Sequence, residues 1–61
     1  MMTLEEIRRK LQDRRVSIIS RETGLHYNTV RYVRDGRSQN PSYRVIEALN
    51  AYLIEKDGTN G

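Results

Sequence analysis

The sequence predicts an all-α domain built from four short helices, and three observations carry that expectation. Apolar residues recur at helical spacing along most of the chain. Helix start and stop signals at Thr3, Gly24, Asp35-Gly36 and Asn40-Pro41 fall between those periodic stretches. No alternating run of β-branched residues is bounded by turn signals, so nothing reads as a strand. At 61 residues, 36% of them apolar, the chain has material for one domain close to the lower size limit for folding alone.

The first helix opens at Thr3. Thr3 and Glu6 have the spacing of a capping box, and Met2 and Ile7 occupy the two staple positions around it. Leu4, Ile7 and Leu11 make a narrow apolar stripe, and the helix is expected to run from about residue 4 to Asp13. The second element spans Val16 to Thr23, with Val16, Ile19 and the small Ser20 on one face and Ile18 off it. Gly24 supplies a left-handed stop. The third element follows after Leu25 and His26. Val30 and Val33 mark its inner face, and Asp35-Gly36 ends it. Stepping about 100° per residue from that inner face turns Asn28, Arg31, Tyr32 and Asp35 outward, with Tyr27, Thr29 and Arg34 on the flanks. Asn40 as cap and Pro41 at the first helical position are expected to start the fourth helix. Its main stripe is Ile46, Leu49 and Leu53. Tyr43 and Tyr52 are expected at the core edge, and Val45, Tyr43, Tyr52 and Ile54 widen the apolar arc. The domain is placed at residues 1–55. Residues 56–61 lack any apolar side chain and are expected to be a disordered tail.

Composition narrows the function. Cysteine is absent and His26 is the single histidine, which excludes a disulfide framework and a cysteine or histidine-rich metal site. No paired carboxylates, phosphate-binding loop or nucleophile–base pair can be assembled, so no enzyme, cofactor or small-molecule site is expected. No apolar run approaches membrane-spanning length, and a cysteine-free basic chain fits the cytoplasm. The charge is segmented. Residues 8–44 carry ten Lys/Arg against Asp13, Glu22 and Asp35, a balance of +7, while the segments on either side are each −2. Such a block suits a polyanion, although most charge merely solvates a surface. Arg8, Arg9, Lys10 and Arg21 are assigned to such a solvated face.

Residues 16–36 form one unit: a helix, a turn at Gly24, and a second helix plugged by Leu25 and anchored by Val30 and Val33. The string from Val16 to Val33, with Ser20, Gly24, Leu25, Val30 and Val33 at their spacing, resembles the helix-turn-helix of the phage repressor and Cro family. Asp35-Gly36-Arg37 and then Asn40-Pro41 with an apolar helix extend the resemblance over residues 3–55. Two positions depart from it. Ser20 stands where alanine is commoner, and His26 stands at the cap position where serine is frequent; histidine is a weak cap, so the first turn of the third helix is expected to fray.

The resemblance implies a lambda-repressor-like four-helix fold that binds double-stranded DNA in a sequence-specific manner, most simply as a small phage or prophage transcriptional repressor. It places Tyr27, Asn28, Thr29, Arg31 and Tyr32 against base edges. Asn pairs well with adenine, Arg with guanine, and a Tyr ring with a thymine methyl. It places Arg14, Arg15 and Ser17, and the loop Arg37, Ser38, Gln39 and Asn40, beside phosphates. One such helix reads few base pairs, so two copies are expected on half-sites about 34 Å apart. They would meet through the fourth helix at Val45, Tyr52 and Ile54, and associate weakly in free solution. Two alternatives stay open: an excisionase-like or architectural DNA binder, and a helical protein-interaction module of the antitoxin kind.

Overall fold

The structure, a computed structural model, describes residues 2–38 and 40–57. These form four helices and no strand: α1 (Leu4–Leu11), α2 (Val16–Thr23), α3 (Tyr27–Arg34) and α4 (Tyr43–Asp57). The three short helices have eight residues each, too few to persist alone in water, so tertiary packing must hold them.

Each helix gives two side chains to one core: Ile7 and Leu11, Val16 and Ile19, Val30 and Val33, Leu49 and Leu53. Around it pack the half-buried Met2, Leu4, Leu25, Val45, Ile46 and Tyr52. Leu4, Leu25 and Ile46 thus sit at the margin of the core and not in its centre. Helix α3 packs on α1 and α2, and α4 packs on the same two helices.

The α1 cap is as the sequence predicts. The Glu6 N–H donates to the Thr3 hydroxyl at 3.2 Å, and the Thr3 N–H donates to the Glu6 carboxylate at 3.0 Å. The helix stops at Leu11, short of Asp13, with Gln12 as its C-cap. Gly24 ends α2 with φ 79°, its N–H donating to the Ser20 carbonyl. Gly36, at φ 76°, ends α3 in a Schellman arrangement. There the Arg37 N–H reaches the Tyr32 carbonyl at 2.9 Å, and the Gly36 N–H reaches the Val33 carbonyl at 3.2 Å.

Helix α4 departs from expectation at both ends. Its start is two residues later than Pro41, because Ser42 and not Asn40 is the cap. The Ser42 hydroxyl accepts from the Val45 N–H at 3.3 Å, and its carbonyl accepts from the Ile46 N–H at 3.1 Å. At the far end, Lys56 and Asp57 are helical and not part of a tail, and Lys56 pairs with Glu22 of α2 at 3.2 Å. The rest of the expected disordered tail, residues 58–61, lies outside the described residues. Tyr43 is 66% exposed, so it is no core-edge residue; as the first residue of α4 it lies beyond the packed stripe. Val45 and Tyr52 are half-buried against the chain's own core, which leaves Tyr43 and Ile54 exposed from the wider arc.

Candidate nucleic-acid interface

The connection between α2 and α3 is built from short polar side chains. The Ser20 hydroxyl donates to the Leu25 carbonyl at 2.5 Å. The Thr23 hydroxyl donates to the Ile19 carbonyl at 2.7 Å and accepts from the Leu25 N–H at 3.2 Å. A backbone that turns this sharply would otherwise strand these polar groups. Serine at position 20 is therefore more than a small substitute for alanine.

His26 caps α3 through its side chain, although histidine is a weak capping residue. Its Nδ1 accepts from the Asn28 N–H at 3.1 Å.

The far end of α3 is held from α1. Arg8 donates through Nε to the Val33 carbonyl at 3.2 Å and through Nη2 to the Ser38 carbonyl at 2.9 Å. Gln12 donates to the Arg34 carbonyl at 2.8 Å. A guanidinium at a helix C-terminus also opposes the partial negative charge there. Arg8 is thus half-buried and structural, and does not belong to the solvated face assigned to it. Only its helical position was visible in the sequence; its partners lie 25 and 30 residues away.

Of the five expected base-reading residues, Tyr27, Asn28, Arg31 and Tyr32 are exposed together on α3, and Thr29 is half-buried on its flank. No described residue hydrogen-bonds the Asn28 side-chain amide or the Tyr27 and Tyr32 hydroxyls. The Arg37 guanidinium lies 5.3 Å from the Tyr32 ring centre, a cation–π contact that joins the helix to the loop. Asp35 hydrogen-bonds Arg34 at 2.9 Å and lies 3.9 Å from Arg31. That bond to Arg34 holds the Asp35 carboxyl below the usual aspartate range and raises the Arg34 guanidinium further. The acid therefore stays ionised and organises the arginines around it.

The expected phosphate-facing residues fall into two groups. Arg14, Arg15 and Ser17 surround the start of α2, with Arg15 and Ser17 exposed and Arg14 half-buried. Arg15 is the N-cap residue and provides no side-chain cap, so the first N–H groups of α2 keep their donor capacity. Arg37, Ser38 and Asn40 follow α3, and Gln39 lies outside the described residues. Comparisons with protein-family models, curated proteins and solved structures gave no match to this chain. No helix of the described residues is long and apolar enough to cross a membrane.

Proposed function

We propose that this chain binds double-stranded DNA sequence-specifically through a helix-turn-helix, with α3 in the major groove, and acts as a small transcriptional regulator, most simply a repressor. One observation carries the reading: α3 is anchored by its inner face and its C-terminus while Asn28, Arg31, Tyr32 and Tyr27 project together from its outer face. Those side chains carry the amide, guanidinium and aromatic groups that pair with base edges and thymine methyls. The +7 block supplies the attraction to phosphate. The open donors at the start of α2, beside Arg14 and Arg15, and the loop from Arg37 to Asn40 give it two places to act. Such a role belongs in the cytoplasm, where the DNA is.

Selection of binding sites from random duplex DNA tests this directly. Enrichment of a defined site is the expected outcome. If each copy neutralises about 4 phosphates, log K should fall against log[salt] with a slope of about −3.6 per copy. A flat salt response with no enriched sequence sinks the reading in favour of a protein-interaction module. Strong bending of the selected duplex moves it toward an architectural DNA binder.

A further inference from the structure

Asp35 is an acid at a position where stability does not call for one. It is the C-cap residue of α3, and its N–H donates to the Arg31 carbonyl at 2.9 Å. A carboxylate there meets the negative end of the helix dipole, which favours a cation. Its pairing with Arg31 runs base first and acid four residues later, the weaker order for an ion pair along a helix. Both residues are exposed, which leaves such a pair little net stability. An anion on the outer end of a basic helix also repels phosphate.

The contacts themselves give the acid a different use. Oδ1 accepts from the Arg34 Nε at 2.9 Å, and Oδ2 lies 3.9 Å from the Arg31 Nε. Both arginines are thus approached from the Nε side, so their terminal Nη nitrogens stay open. Asp35 is the one partner of the Arg31 guanidinium among the described residues. The open Nη pair is a planar fork that matches O6 and N7 of a guanine. Left alone, an exposed arginine samples many rotamers, and any phosphate in reach competes with the base. An arginine steered from its Nε side surrenders part of that freedom before it meets DNA, which lowers the ordering cost of the base contact.

We propose that Asp35 is a positioning residue that turns Arg31 from a phosphate-seeking cation into a reader of guanine, trading general affinity for choice of sequence. The proposal rests on the DNA-binding reading above and names the residue that sets its selectivity at one base pair. That base pair is the one whose preference Arg31→Ala abolishes in the site selection.

Anisotropy titrations with three duplexes test it: the selected site, the same site changed at that base pair, and an unrelated sequence. Asp35→Asn should bind the unrelated duplex about threefold tighter, because an anion has left the surface. Its preference for the selected site over the changed one should fall about tenfold, within what one bidentate pair discriminates. In an Arg31→Ala background, Asp35→Asn should leave that preference unaltered, since the acid acts through Arg31. Loss of a structural contact would move affinity and preference differently, weakening every duplex together. Without DNA, the Arg31 Nε–H resonance should shift in Asp35→Asn, and the melting temperature should not fall. An unshifted resonance, a preference equal to wild type, equal weakening on all three duplexes, or a lowered preference that persists without Arg31 overturns the proposal while the DNA-binding reading stands. A wild type that enriches no site overturns both.

Discussion

Ser20 meets two demands at one position: a small volume where α2 meets α3, and a hydroxyl for the Leu25 carbonyl. Helical spacing makes the first legible. The second depends on the path of the backbone through the turn, which no local pattern records. Ser20→Ala should therefore cost about 1 kcal/mol in denaturant unfolding, where the commoner alanine alone suggests no cost. On the outer face of α3, Asn28→Ala and Arg31→Ala should each lose about 1–3 kcal/mol on the preferred duplex and relax its sequence. Arg37→Ala should weaken all duplexes more evenly. Because Arg37 lies over Tyr32, the pair should also be non-additive: Tyr32→Ala and Arg37→Ala together should cost less than their separate costs added. Additive losses in binding titrations would show that the two side chains act apart. The outward set was legible because it follows from periodicity alone. The stacking and the role of Arg8 were not, since each depends on how the chain is folded in space; at His26 the cap position was legible but the bond its ring makes was not.

Helix starts were legible to different degrees. At α1 one threonine and one glutamate at the right spacing leave a single choice. Before α4, Asn40, Pro41 and Ser42 are all good starting residues, so the local signals cover a two-residue range. Burial of Leu49 and Leu53 sets the helix face, and Ser42 takes the cap. The α1 box also has a measurable pH signature. Hydrogen bonds from the Thr3 backbone and hydroxyl hold the Glu6 carboxyl below the usual glutamate range. A carboxyl whose folded value is depressed stabilises the fold above its unfolded value, and that contribution is lost as pH falls through the folded value. Helicity of α1 should accordingly persist through the ordinary glutamate range and decline below it. Thr3→Ala should move the Glu6 titration, followed by carboxyl NMR shifts, back up toward the ordinary value.

The whole molecule depends on eight side chains drawn evenly from four helices. A chain of this size has a net stability of about 3–9 kcal/mol. Leu49→Ala should cost about 2–5 kcal/mol, enough to populate the unfolded state at room temperature. Calorimetry should show all four helices melting together, because none has a partner of its own to fall back on; separate transitions would contradict a shared core. All eight positions were legible, since apolar periodicity is a direct image of burial. What periodicity overstated was depth: Leu4, Leu25 and Ile46 share the pattern but lie where the small core runs out.

The two ends of α3 are held unequally. Arg8, Gln12 and the Gly36 turn fix the C-terminal end, whereas the N-terminal end relies on one imidazole lone pair. Amide hydrogen exchange should therefore start around Asn28 and Thr29 and reach Tyr32 and Val33 last. That N-terminal end also carries Tyr27, Asn28 and Thr29, three of the side chains proposed to read bases. A helix hinged this way can settle its tip to the local width of a groove while its root stays still. Ordering that tip would carry an entropic cost on every sequence, and only a well-matched one would return enough contact to offset it. Mobility at Asn28 would then sharpen the choice between near-identical sites, at some loss of tightness on all of them.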